Sequence, residues 1–351
     1  MWQCHLCCPS PVRLTSAPHD PKGLPVSTFR LSSPSDCVAG AVALGGHIPV
    51  DEVVVIALDL EPMPVAMIKL TDVESGRVLA NLEGATPFAQ CREMLVVVFG
   101  PLERGDAVGE VFEQFRPDAV TPVYVFTEGV VRRWHGVGSL ALQAGDQMDL
   151  WSHPIVLEAQ SLGVATLQTR AQMRAAFEPA QFGAERAATV AQGFDQERAK
   201  LAAMDPHGAA ELAFTSGLAP YIGRARNDGG IVVTDEHAAL IAAAMHDVTV
   251  RDLLFVHVTD KNADAAAEML RQVGALLPAN LAGPVIIIGA IFHWVARHAA
   301  LSREALIVGR TLDPAHSFGQ LFERALDFGM NPALWDQLRT AAVTASSRTG
   351  R

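Results

Sequence analysis

The sequence predicts an α/β domain followed by an all-helical region. Short runs of β-branched and aliphatic residues occur in the first half, as at Val53–Leu58 and Leu95–Phe99. Such runs are typical of strands buried on both faces of a parallel or mixed sheet. Beyond about Pro179 these runs give way to alanine-rich segments of helical period. With 351 residues, 50% of them hydrophobic, we expect an α/β domain at 27–180 and a helical domain at 181–345, between a disordered leader (1–26) and a frayed tail (346–351).

The leader has neither helical nor strand periodicity and is rich in proline and serine. Three cysteines lie in it, Cys4, Cys7 and Cys8, beside His5. Thiolates at this spacing can share a zinc ion, but a structural zinc site needs a second pair of ligands further on. We therefore expect no metal site. The five cysteines do not form the evenly spread set of a secreted disulfide framework, which favours a cytoplasmic location.

The α/β domain is predicted to open with a helix capped by Ser33, with Pro34 in its first turn and Gly45-Gly46 at its end. Three further strands and three helices are expected to alternate after Val53–Leu58, with a weakly helical segment and a glycine-containing hairpin or loop among them. The strands are Val65–Leu70, Leu95–Phe99 and Val123–Phe126, with a short one at Val164–Gln168; the helices are Gly105–Phe115, Pro154–Leu162 and Thr169–Phe177; the weak helix is Arg77–Cys91 and the hairpin or loop is Val130–Gln147.

The helical domain is predicted to hold eight helices separated by Pro, Gly and Asn-Asp-Gly signals. The last four would form weak tetratricopeptide-like hairpins between Pro284 and Ala342. The helices are Gly183–Ala203, Gly208–Tyr221, Asp235–Met245, Ala263–Leu277, Pro284–Ala300, Arg303–Thr311, Ser317–Phe328 and Pro332–Ala342.

Charge and hydropathy narrow the classes of partner. The net charge of −11 disfavours specific binding to the phosphates of nucleic acid. The longest apolar run, Leu281–Phe292, ends at His293 after twelve residues, well short of the ~18 needed for a membrane span. We expect a protein partner or a homo-oligomer, and no membrane association.

Motifs that carry chemistry are missing from the sequence. It contains no G-x-G-x-x-G at a strand-to-helix turn, no G-x-S-x-G and no H-E-x-x-H. Gly40-x₄-Gly45-Gly46-His47 has the glycine spacing of a phosphate loop but lacks its lysine, and it precedes a strand instead of following one. We expect no cofactor, and the sequence favours a protein without catalytic activity.

Several blocks resemble one protein family. Ser32-Ser33-Pro34-Ser35-Asp36, then Pro49-x-Asp51 and the strand Val53–Leu58, are similar to the opening of the family known as domain of unknown function 4192, from high-GC Gram-positive bacteria and their mobile elements. The resemblance covers about Phe29 to Leu338. It implies a fold and a lineage, and no catalytic residues, because none is assigned in the family. Cysteines that members often carry are missing between Gly138 and Trp151, which removes any metal or redox site there. Later blocks in the same order are Val248-x-Val250-Arg251-Asp252, Trp294, Asp313-Pro314 and Ser317.

Two functions stay open at this point. In the first, the helical C-terminal region docks a protein partner, with His293, Arg297 and Trp335 as the candidate surface. In the second, the chain binds or converts a small molecule where the strands of the sheet end, since open α/β sheets bind ligands at the carboxyl ends of their strands. A cationic or metal-chelated ligand would suit that site, because carboxylates outnumber arginines in it. Its candidate residues are Asp59, Glu61, Glu103, Arg104, Glu128 and Arg132.

Overall fold

The computed structural model describes residues 12–15, 28–60, 64–74, 82, 86–115, 121–161, 168–224, 233–327 and 330–340. The chain divides into two compact units, Met1–Arg170 and Ala171–Arg351. The first is an α/β unit and the second is all-helical, which confirms the predicted fold class. The division lies ten residues before the expected boundary at 180. Phe177 is buried in the helical core, and the Ala180 N–H donates to the Ala275 carbonyl, so this segment joins the second unit.

Helix α1 (Pro34–Gly45) begins and ends as the sequence predicts. The Ser33 hydroxyl accepts the Asp36 N–H, and Pro34 stands in the first turn, where a missing N–H breaks no helical bond. Gly46 ends the helix at φ 75°, a left-handed conformation that glycine adopts without steric cost.

Among the described residues, the α/β unit contains a mixed six-stranded sheet with the order β4-β3-β5-β6-β7-β8. Within this described sheet, only β5 and β6 are parallel, and the helix Leu102–Phe115 (α4) lies between them in the chain; the other neighbours are antiparallel. A separate pair joins β1 to β2, so four residues of the predicted leader form a strand. The strands are β1 Val12–Thr15, β2 Thr28–Leu31, β3 Glu52–Ala57, β4 Val65–Lys69, β5 Met94–Phe99, β6 Val123–Thr127, β7 Val130–Arg133 and β8 Asp146–Gln147.

Both faces of the sheet are covered, which accounts for the continuous apolar strands. On one face, Val54 and Val97 pack with α1 and α5. On the other, Val55 and Val96 pack with α2 and α4. These helices and their short neighbour are α2 Leu70–Glu74, α3 Thr86–Gln90, α4 Leu102–Phe115 and α5 Pro154–Ser161, with a 3₁₀ turn at Leu150–Ser152.

The helical unit is built around α13, which is buried on every side from Leu281 to Val295. The sequence predicted that this helix starts at Pro284. It begins instead at Ala279, so Pro284 lies inside it. Tetratricopeptide-like hairpins are not confirmed. The helices are α6 Arg170–Ala175, α7 Ala184–Ala202, α8 Pro206–Leu212, α9 Ala219–Arg224, α10 Asp235–His246, α11 Val248–Leu254, α12 Ala263–Leu276, α13 Ala279–Val295, α14 Ala299–Leu312 and α15 Ser317–Asp327, with a π-helical turn at Ala213–Leu218, 3₁₀ turns at Phe255–His257 and Pro332–Leu334, and helical residues 335–340.

Some predictions fall outside the described residues. These are most of the leader including Cys4, Cys7, Cys8 and His5, most of the strand Val164–Gln168, parts of the weak helix Arg77–Cys91, and the tail after 340.

Candidate functional site

The direction of β3 separates the residues that the sequence placed in one ligand site. β3 runs antiparallel to β5, with Glu52 opposite Phe99 and Ala57 opposite Met94. The carboxyl end of β3 therefore lies at the edge of the sheet where β5 begins. There the Asp59 carboxylate accepts the Arg92 N–H at 2.8 Å and the Glu93 N–H at 3.3 Å, so it fixes the chain entering β5.

The other candidates do not converge with Asp59. Glu103, Arg104 and Glu128 follow the parallel strands β5 and β6 at the opposite edge. Arg132 lies within β7 and donates from Nε to the Gln143 carbonyl at 3.0 Å. Glu61 lies outside the described residues. The described candidates therefore do not all line one site, because Asp59 lies at the opposite edge from Glu103, Arg104 and Glu128. A ligand site at those three residues stays a prediction.

A buried ionic cluster occupies the edge at which β5 and β6 end. His47 is wholly buried; its Nδ1 lies 3.1 Å from the Gly45 carbonyl and its Nε2 2.8 Å from Glu52 Oε2. The other Glu52 oxygen pairs with Arg170. Each ring nitrogen of His47 therefore has an oxygen within hydrogen-bond distance. Because His47 is shielded from solvent, the cluster anchors the end of α1 to β3 and does not present a reactive group.

In the sequence, His47 stands only at the end of an incomplete phosphate-loop pattern, and no motif includes Glu52. A glutamate that opens an otherwise apolar strand was the available signal, since a buried carboxylate needs a partner.

A second polar cluster surrounds the first turn of α1. The Ser32 hydroxyl donates to Asp36 Oδ2 at 2.7 Å, and His153 Nε2 lies 3.4 Å from Asp36 Oδ1. Burial raises the pKa of Asp36, but hydrogen bonds from Ser32 and Ser33 together with His153 outweigh it and leave the pKa lowered. Burial lowers the pKa of His153. The carboxylate stands between the serine and the histidine, whereas a hydrolytic triad needs the histidine between the other two.

The neighbouring thiol is also unsuited to nucleophilic chemistry. Burial, with a smaller contribution from the Asp36 charge, raises the pKa of Cys37 to about 11. Burial likewise raises the pKa of its neighbour Tyr124 to about 12. Both groups stay protonated at neutral pH, and the thiolate is the reactive form of cysteine. This end of α1 therefore offers no activated nucleophile among the described residues.

Two of the three residues predicted to form a partner surface on the helical unit are buried. His293 is 3% exposed and Trp335 is 5% exposed, while Arg297 is exposed. Trp335 packs against Phe255 and donates from its indole Nε1 to the Val258 carbonyl at 2.8 Å. The predicted surface is thus corrected: these two side chains belong to the core.

The loop between β7 and β8, residues 134–145 (hereafter the β7–β8 loop), presents exposed apolar side chains. Leu142 is 89% exposed and Val137 is 73% exposed, the two highest values among the large hydrophobic residues that the structure describes. Leu140, between them, is wholly buried and anchors the loop in the core of the unit.

Hydrogen bonds hold this loop in a defined conformation. The Gly138 N–H donates to Asp106 Oδ2 at 3.2 Å, and the His135 N–H donates to the Ser139 hydroxyl at 2.9 Å. The Gln143 side-chain amide donates to the Arg133 carbonyl at 2.8 Å. The loop therefore presents Val137 and Leu142 to solvent from a backbone that these hydrogen bonds hold in place.

The described part of the chain contains no group of three His, Cys, Asp or Glu side chains arranged to hold a metal ion. Within the same residues, no helix combines the length and the apolar character needed to cross a membrane.

Comparison with known protein families identifies the family of this chain. A family model, Domain of unknown function (DUF4192), matches residues 34–333. The chain belongs to this family. No curated protein and no solved structure matches it.

The residues that carry the DUF4192 resemblance serve the fold in this structure. Ser33 caps α1, and Asp36 accepts the Ser32 N–H at 3.0 Å, so together they fix the start of that helix. Asp51 adopts φ 51°, and its carbonyl accepts the Leu70 N–H at the turn into β3. In this chain these positions define a helix cap and a turn.

Proposed function

We propose that this DUF4192 protein acts by binding a protein partner, and that the β7–β8 loop is its docking surface. The observation that carries the proposal is the exposure of Leu142 and Val137 on a loop held by hydrogen bonds. Contiguous exposed apolar side chains mark interaction sites in soluble domains, and Leu142 and Val137 belong to one loop. A loop already ordered before binding loses less conformational entropy when the partner arrives.

The charges beside the loop indicate the chemistry of the partner. Arg133 is exposed directly before the loop, His135 within it and Asp146 directly after it, on a chain whose net charge is −11. The two basic side chains favour a partner segment that combines apolar side chains with carboxylates, because complementary charges steer association. Binding should therefore weaken as the salt concentration rises.

The helical unit offers a second candidate surface. Leu321, Leu334 and Leu338 are exposed there, although His293 and Trp335 are buried. Docking through the helical region, as first expected, would have to use these leucines.

The small-molecule alternative receives less support than either surface. It requires the loops after three strands to meet at one edge, and the antiparallel β3 sends Asp59 to the opposite edge from Glu103 and Glu128. The cytoplasmic location and the lack of nucleic-acid binding stay predictions.

The test is affinity capture with matched charge substitutions. Leu142→Glu puts a like charge against the acidic partner and should abolish capture of one partner band. Val50→Glu is the control, because Val50 is 59% exposed in the same unit but outside the loop. Leu338→Glu tests the helical surface. All three variants should keep the wild-type melting temperature, since each side chain is solvated.

Unchanged capture by the Leu142→Glu protein would refute the docking role of the loop. Loss of capture with Leu338→Glu alone would move the surface to the helical unit. Light scattering on the purified protein separates a second copy of the chain from a different partner, since a homo-oligomer formed through the loop would become a monomer in Leu142→Glu.

A further inference from the structure

His293 occupies a position that suits only a neutral imidazole. It lies in α13 with its ring edge-on to Phe177 at 5.5 Å, and neither ring nitrogen has a hydrogen-bond partner among the described residues. The charged and titratable groups facing it are Glu268 and Arg271 of α12 and His298, which follows α13. Glu268 is already paired with Arg271 at 2.6 Å, so its charge is largely compensated.

A protonated His293 would therefore carry two N–H donors and a charge without an acceptor. Burial, together with the nearby His298, lowers the pKa of His293 to about 3. An unfolded histidine titrates near 6.5.

His316 is restricted to one protonation state by a different contact. Its Nδ1 accepts the Gly319 N–H at 3.1 Å, in the first turn of α15. A second proton would occupy the lone pair that accepts this bond, and would place a positive charge at the positive end of the helix dipole. The groups facing His316 are Arg251, Asp313, His246 and Arg310.

Burial and the positive charge of Arg251 lower the pKa of His316, and the opposing effect of Asp313 does not compensate for them. His246 and His257, in the same unit, also have pKa values lowered by burial. In the α/β unit, burial also lowers the pKa of His153, but its Nε2 lies 3.4 Å from Asp36 Oδ1, so a protonated ring there has a carboxylate partner. Buried His47 has an oxygen within hydrogen-bond distance of each ring nitrogen.

We infer that the helical unit contains an acid-sensitive device: protonation of His293 and His316 opens the packing of α13 and α15 at mildly acidic pH, before the α/β unit unfolds. The inference is independent of the proposed docking surface, which lies in the other unit.

The sign of the effect follows from proton counting. Between pH 6.5 and the lowered folded pKa, an unfolded histidine binds a proton that the folded one does not. The stabilising contribution is therefore complete above pH 6.5 and is lost as the pH falls. Each pH unit below 6.5 can reduce the folding equilibrium constant up to ~10-fold for each such histidine.

Hydrogen exchange of the full chain at pH 7.0, 5.5 and 4.5, corrected for the intrinsic exchange rate, tests this. We expect peptides from α13 and α15 to lose protection at pH 4.5 while peptides from β3 and β5 keep theirs. His316→Asn retains a capping acceptor that does not titrate, and His293→Leu removes the buried imidazole. Each should move the acid midpoint of the helical unit to lower pH, by about half a unit or more.

His207→Asn is the matched control, because His207 is exposed in the same unit. Protection of α13 and α15 that does not change between pH 7.0 and 4.5 would overturn the inference. So would an equal shift of the acid midpoint in the control. If the His293→Leu protein does not fold, the result for His316→Asn alone decides.

Discussion

Replacing Trp335 by alanine should destabilise the helical unit strongly. The side chain is 5% exposed, and its indole Nε1 donates a 2.8 Å hydrogen bond to the Val258 carbonyl. Its ring centroid lies 5.5 Å from that of Phe255 and 6.4 Å from that of Phe292. Removing a buried aromatic ring costs about 3–5 kcal/mol through lost transfer free energy and the cavity left behind. The unpaired carbonyl adds about 1 kcal/mol. A domain is typically stable by about 5–15 kcal/mol, so the variant should lie close to unfolding.

The assay is urea unfolding followed by far-ultraviolet circular dichroism, fitted with separate transitions for the two units. Trp335→Phe keeps an aromatic ring but removes the indole N–H, and should lower the free energy of unfolding by about 1–2 kcal/mol. Leu334→Ala is the neighbouring control, since Leu334 is 39% exposed; it should change stability by less than about 0.5 kcal/mol. A Trp335→Ala protein as stable as the Leu334→Ala protein would refute the placement of Trp335 in the core.

Three further outcomes follow from the packing and the charges. Gly109→Ala should lower the free energy of unfolding by about 1–3 kcal/mol, because the new methyl group would stand 2.4 Å from ring atoms of Trp134. Gly193→Ala is the control, because its methyl group would lie 3.5 Å from the nearest atom and should not destabilise the protein. Equal melting temperatures of the two variants would contradict this prediction. Glu52→Gln should cost about 3 kcal/mol by leaving Arg170 and buried His47 without their carboxylate, as measured by thermal unfolding; a neutral effect would mean that the cluster is not an anchor. Duplex DNA should show no mobility shift with micromolar protein at physiological salt, and a salt-dependent shift would defeat the argument from net charge.

The strands of the α/β unit follow from their apolar runs, but their directions do not. A strand buried on both faces has the same composition whether its neighbours are parallel or antiparallel, so Val53–Leu58 did not reveal its orientation. The chain did hold one usable signal. Seven residues separate β3 from β4, and a parallel connection needs a dozen or more. That spacing predicts an antiparallel pair at β3–β4, although the neighbour on the other side of β3 depends on tertiary packing.

The surfaces were harder to predict than the core. α13 is apolar around its whole circumference, so a histidine within it has no solvent-facing side, and this pattern alone argued against His293 as a surface residue. The β7–β8 loop gave the opposite problem. Glycines predicted a loop or hairpin there, but apolar side chains such as Leu142 and Val137 usually indicate burial. In the structure Leu140 of the same loop is buried in the core, whereas Leu142 and Val137 are exposed.

Site-specific photocrosslinking tests the docking role of the β7–β8 loop most directly. Leu142→benzoylphenylalanine and, as the matched position, Val50→benzoylphenylalanine would be irradiated in cells and the adducts identified by mass spectrometry. We expect one adduct of defined mass from position 142, absent from position 50. The same adduct should form in cell lysate and decrease there when the salt concentration is raised. An adduct that forms equally at both positions, or at neither while Leu338→benzoylphenylalanine gives one, would contradict the assignment of the docking surface to this loop.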